Sequence, residues 1–138
     1  MGEPLRGRVV FACAAAALAL PASAAAALEV RLRVVPASPK AGARAVVQLR
    51  PYWTYLRPDG TCCRLEPADV SYPFRVEAVS PSGRVHRIRV HRTSNRYVRA
   101  GAFVFRRPGR WIVRDPQWGP GYSTRAGGRP RIRVAVKP

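Results

Sequence analysis

From residue 28 onward, hydrophobic and polar positions alternate with a period of two, and Pro and Gly break the alternation at short intervals. That is the pattern of half-buried β-strands joined by turns. In Leu28–Val35, the residues Leu28, Val30, Leu32 and Val34 share one face, with Glu29, Arg31 and Arg33 opposite. A turn over Pro36 to Gly42 leads into Ala43–Arg50, where Ala45, Val47 and Leu49 point inward. Asp69–Val79 keeps Tyr72, Phe74, Val76 and Ala78 in phase, and Pro73 restricts its first half to an edge or a bulge. Past the Ser80-Pro81-Ser82-Gly83 turn, Arg84–Arg92 reads as one strand with His86, Ile88 and Val90 on one face. Tyr97–Arg106 carries Phe103 and Phe105, Arg107-Pro108-Gly109 turns the chain into Arg110–Arg114, and a last strand holds Ile132, Val134 and Val136.

About seven strands at this spacing, with no helical periodicity, predict an all-β, immunoglobulin-like antiparallel β-sandwich. An open barrel is the main rival. The Cys…Trp…Cys core of antibody domains is absent, because Cys62 and Cys63 are adjacent. Two connections, Pro51–Pro67 and Asp115–Pro130, are longer than a sandwich needs, and long loops on a rigid scaffold are where binding residues concentrate.

The residues before the first strand have a different grammar. Arg6 and Arg8 precede an apolar run from Val9 to Leu20, Pro21 breaks it, and Ala22-Ser23-Ala24 offers a small-x-small cleavage site, with a second ending at Ala27. This order predicts a signal-peptide helix over residues 1–27, followed by one secreted or cell-envelope domain over 28–138. The run is about 12 residues, short of the roughly 20 that span a bilayer, so no transmembrane span is expected once the leader is removed.

Charge adds a second theme. The chain holds 25 Lys and Arg against 7 Asp and Glu, a net charge of +18. Without the leader, which takes Arg6, Arg8 and Glu3, the balance is 23 − 6 = +17. Such a field attracts polyanions: nucleic acid, acidic envelope polymers and anionic lipid head groups. The same arginine excess, alongside abundant Ala, Pro, Gly and Val, is also what a GC-rich coding sequence yields without any role. If the first and last strands lie side by side, Arg31, Arg33, Arg131 and Arg133 form an outward basic stripe. Like charges facing each other there cost roughly 0.2–1 kcal/mol per pair unless water or an anion intervenes.

Candidate chemistry is sparse. The acids Glu29, Asp59, Glu66, Asp69, Glu77 and Asp115 are scattered through turns and outward positions, each near an arginine. No nucleophile elbow, phosphate loop or metal-protease helix occurs, which argues against an enzyme. His86 and His91, the only histidines, differ by five positions and point to opposite faces of one strand. Cys62 and Cys63 could pair with each other, bridge to another chain, or offer thiolates to copper. The remaining binding candidates are aromatic residues beside arginines in the long loops: Tyr52, Trp53, Tyr55 and Arg57 in the first, Arg114, Trp118, Tyr122 and Arg125 around the second. These rings could stack on a ligand or simply cap the open end of the sandwich.

The run from Tyr97 to Val113, with Phe103 and Phe105 ahead of Pro108-Gly109-Arg110-Trp111, resembles the late strands of FixH/YtkA-like secreted domains, which are related to CopC-like proteins. The Pro36-to-Gly42 turn and the Ser80–Gly83 hairpin fit the same layout. The resemblance implies an immunoglobulin-like fold in the cell envelope. Copper handling by His and Met in some of that group does not carry over, since Met1 is the only methionine. The expected role is interaction or structural accessory work, with a protein or an anionic polymer of the envelope as partner.

Overall fold

The computed structural model describes residues 27–61, 64–71, 73–117 and 130–138. Residues 1–26 of the expected leader, with its helix, lie outside the described residues, as do Cys62, Cys63, Tyr72, Trp118, Tyr122 and Arg125, while Ala27 already belongs to the first strand. Strands form where the alternation runs: β1 (Ala27–Val35), β2 (Arg44–Tyr55), β3 (Arg64–Pro67), β4 (Val76–Val79), β5 (Val85–Ile88), β6 (His91–Arg92), β7 (Arg99–Val104), β8 (Gly109–Arg114) and β9 (Arg131–Val136). Among the described residues there is no helix, and so none long and apolar enough to cross a membrane.

The strands make two antiparallel sheets. One has the order β1-β2-β7-β6, with β3 added beside β2, and the other runs β5-β4-β8-β9. In chain order this is the A-B-E-D against C′-C-F-G arrangement of immunoglobulin domains, so the expected sandwich is present and the barrel is not. Beyond β1 the chain leaves its sheet. Lys40 bridges Lys137 in parallel, Ala41 N–H donates to Lys137 O at 2.8 Å, and Lys137 N–H donates to Pro39 O at 2.9 Å. One edge of each sheet is thereby tied to the other.

The inward rows fill the space between the sheets. Leu28, Val30, Val34, Ala45, Val47 and Leu49 come from the first sheet, and Val76, Ala78, Ile88, Trp111, Val113, Val134 and Val136 from the second. Phe105, on the β7–β8 crossover, is fully buried among them. Burying each large aliphatic side chain among them contributes about 1.5–3 kcal/mol.

Three expected segments differ. Arg84–Arg92 is two strands rather than one: β5 belongs to the second sheet, and β6 belongs to the first. Among the described residues of Asp69–Val79, only Val76–Val79 is strand, which fits the proline at position 73. The expected loop Pro51–Pro67 is mostly paired, since β2 runs to Tyr55 and β3 returns along it from Tyr52↔Pro67 to Tyr55↔Arg64. Pro51 is in register with Val30 of β1, but its carbonyl faces the other side, where it accepts from Ala68 N–H at 3.0 Å. On that side the β7 ladder stops at Leu49 and the β3 ladder starts at Tyr52, so no ladder there needs its missing N–H.

Candidate functional site

The structure distributes the first aromatic group along a strand instead of gathering it in a loop. Within β2, Tyr52 faces outward beneath Arg31, whose guanidinium carbon lies 5.2 Å from the ring centroid. Trp53 turns the other way and packs on the core. Tyr55 lies under Arg64 at 5.3 Å. Arg57 begins the turn to Thr61, where Asp59 accepts bonds from the Thr61 N–H at 2.9 Å and hydroxyl at 2.6 Å. These bonds, the hydroxyl's foremost, hold the Asp59 carboxyl below its usual value of 3.8. Arg114 lies on β8 and binds Glu77, far from this group in register.

The basic stripe also takes a different form. Arg31, Arg33, Arg131 and Arg133 are all exposed, but β1 and β9 belong to different sheets, so they do not face each other across a ladder. The like-charged strand pairs in register that involve these arginines are Arg31↔Arg50 and Arg114↔Arg131, and Arg92↔Arg99 is a further one at the other end of the first sheet. A carboxylate stands beside each of the first two pairs: Glu29 accepts from Arg31 Nε at 2.6 Å, and Glu77 lies 3.4 Å from Arg114 Nε. Arg31 and Arg131 nevertheless share a shallow groove of about 270 Å³ along the β1–β9 edge, with Glu29 in its wall.

Outward positions of the second sheet line up across strands. Arg87, Glu77, Arg114 and Arg131 form one row over β5, β4, β8 and β9, and Val85, Val79, Ile112 and Arg133 form the next. Arg75 reaches the same carboxylate at 3.2 Å, so Glu77 is covered by the arginines it binds. Asp115, fully buried at the end of β8, accepts from Arg75 N–H at 3.2 Å and Gln117 N–H at 3.0 Å, and so anchors the entry to the second long connection.

A second polar centre closes the far end of the sandwich. Arg99 is buried, donates to Val70 O at 2.6 Å and lies against the Phe74 ring. Burial, with nearby Arg92 adding to it, pushes its pKa down, and Asp69 opposes the shift. Arg92 pairs with Asp69 at 3.1 Å, so this group reads as a brace.

One concavity among the described residues was not legible from the sequence. It opens between β5 and the outer edge of β7, with a volume of about 680 Å³. The reason is topological. β6 covers only Arg99 and Ala100 of β7, and the chain crosses between sheets at Arg89–Val90, against Gly101. The remainder of β7 thus has no strand on that side among the described residues. Phe103, His86 and Trp111 floor the cleft, while Arg44, Arg84, Arg106 and Arg107 surround it without an acidic residue. Of the Pro108-Gly109-x-Trp111 motif, Trp111 lines the cleft, and Gly109 shapes the turn that leads into it. Gly109 adopts φ +121°, where a side chain would also press on Pro81, and the Trp111 indole N–H donates to Arg107 O at 2.9 Å. The one sequence signal for this site was an inward histidine next to inward aromatics, with arginines in both adjoining turns.

Metal ligands do not converge. His86 lies in the second sheet and His91 in the first, and among the described residues no three His, Cys, Asp or Glu come together to hold a metal ion. No family model matches the chain, and no curated protein matches it in sequence. The fold and the arrangement of its arginines therefore define the class: an all-β sandwich of immunoglobulin topology with cationic surfaces.

Proposed function

We propose that this is a secreted or cell-envelope binding protein, without catalytic activity, that associates with an acidic polymer through the outer face of the β5-β4-β8-β9 sheet. The observation that carries this reading is the charge balance on that face. Among the described residues, Arg75, Arg87, Arg110, Arg114, Arg131 and Arg133 share a single carboxylate on this face, Glu77. Arg114 and Arg131 stand directly opposite each other, an arrangement that costs roughly 0.2–1 kcal/mol and that a bound anion relieves. The guanidinium fork suits carboxylate and phosphate groups alike. The envelope setting rests on the leader and on the resemblance to FixH/YtkA-like domains.

Retention on a heparin-type acidic resin across a salt gradient tests the proposal. Binding should weaken steeply with ionic strength, and Arg131→Ser/Arg133→Ser should lower both the eluting salt and the slope, by about one per lost contact. Elution of the unaltered protein at low salt, or identical behaviour of the double variant, overturns it.

A further inference from the structure

The cleft between β5 and β7 lies on a different side of the molecule, and its lining has two chemistries. Its floor is aromatic: Phe103 meets Trp111 edge-on at 6.0 Å, and His86 lies 6.1 Å from Phe103 and 5.7 Å from Trp111. Trp111 is nearly fully buried and its indole N–H is already bonded, so His86 and the half-buried Phe103 present the accessible ring surface. Around this floor stand four exposed arginines, Arg44, Arg84, Arg106 and Arg107.

What marks the cleft as a site is the absence of internal partners. Among the described residues, no ion pair involves a cleft arginine. No described group hydrogen-bonds the His86 ring. On the rim, Ser80 and Ser82 join hydroxyls at 2.9 Å, and Ser80 accepts from Arg84 N–H at 3.0 Å, which fixes the turn that carries Arg84.

Unpaired guanidinium forks want a planar or tetrahedral oxyanion. A bare inorganic anion would leave the ring floor in water. The volume of about 680 Å³ falls among small-molecule sites, in which apolar walls bury the ligand body and a few polar groups orient it. We propose that this cleft binds a sugar-sized ring bearing a carboxylate or phosphate, with the oxyanion held by the arginines and the ring face lying against His86 and Phe103. The two oxyanions share this chemistry, and the test separates them.

His91 lines a separate hollow with Arg92 and Arg99, so the second histidine is an internal reference. Side-chain NMR signals of His86 and His91 are followed in the isotope-labelled protein during titration with a hexuronate, a hexose phosphate, the uncharged hexose and inorganic phosphate. The proposal expects saturable movement of His86, with His91 still, for at least one of the charged sugars. The uncharged hexose and free phosphate should each need about tenfold more ligand. Arg84→Ala/Arg107→Ala, both at exposed positions, should weaken the response about tenfold, while Arg131→Ser/Arg133→Ser should leave it unchanged. A still His86 with both charged sugars, free phosphate acting as well as the hexose phosphate, or an unaffected Arg84/Arg107 variant would each overturn it. Loss of resin retention with the His86 response intact would refute only the polymer reading, and the converse would refute only this one.

Discussion

A β-sandwich has two open sides, and in this protein both are lined by arginine but only one is left as a cleft. Along β1 and β9, the crossover at Lys40 and Lys137 pulls the sheets together, and Glu29 occupies Arg31. Along β5 and β7, β6 stops short, the cleft stays open, and no carboxylate enters it. Two arginines line the groove and four line the cleft, and the two sides differ further in where the few acids sit. In a chain this basic, arginine is the background, and the placement of Glu29, Glu66, Asp69 and Glu77 against particular arginines determines which surfaces keep an unbalanced field.

The most severe way to erase the difference is to remove the cleft's floor. Trp111 is 2% exposed and touches Phe103, Phe105 and His86. Trp111→Ala should cost about 3–5 kcal/mol through the cavity it leaves. Urea denaturation measures this, and a midpoint close to that of the parent would show that the ring cluster does not hold the β5–β7 side. Gly101→Ala acts more locally. A Cβ there would sit 2.0 Å from Arg89 O and 2.9 Å from its carbonyl carbon, both backbone atoms that cannot swing away. The Arg89–Val90 crossover must lift, with a loss of about 1–3 kcal/mol. Amide exchange should accelerate at Val90 to Arg92 and remain slow at Val47 and Val113. Unchanged protection at the crossover would mean that the closed half of this side is not set by Gly101.

Strand faces were legible because alternation states them directly. Val30 with Val34, Val47 with Leu49, Trp111 with Val113 and Val134 with Val136 are all buried, as their phase requires. What alternation does not encode is which sheet a strand joins. Ile88 and Val90 remain in phase through the crossover, so Arg84–Arg92 looked continuous although its partner changes from β4 to β7. Pro51 looked like a stop, yet it falls in the one gap between two ladders where its lack of an N–H has no consequence. The cleft was hidden for a related reason. Arg44, Arg84 and the Arg106–Arg107 pair come from three separate parts of the chain, and only the sheet order brings them around His86.

The gentlest test sharpens the comparison from the other side. Glu29→Gln keeps the size of the residue and removes its charge, which leaves Arg31 facing Arg50 in register without compensation. The carboxylate side chain is only 8% exposed, but its partner is 43% exposed, so solvent softens the loss to about 1 kcal/mol. The electrostatic consequence should be larger than the cost in stability. The β1–β9 groove would then present Arg31 and Arg131 with no acid in its wall, the condition that the β5–β7 cleft meets in the unaltered protein. Retention on an acidic resin should therefore extend to higher salt, and Arg131→Ser in the same background should reverse the gain. If Glu29→Gln elutes where the parent does, then the placement of carboxylates does not govern anion binding, and the contrast between the two open sides is one of shape and arginine number alone.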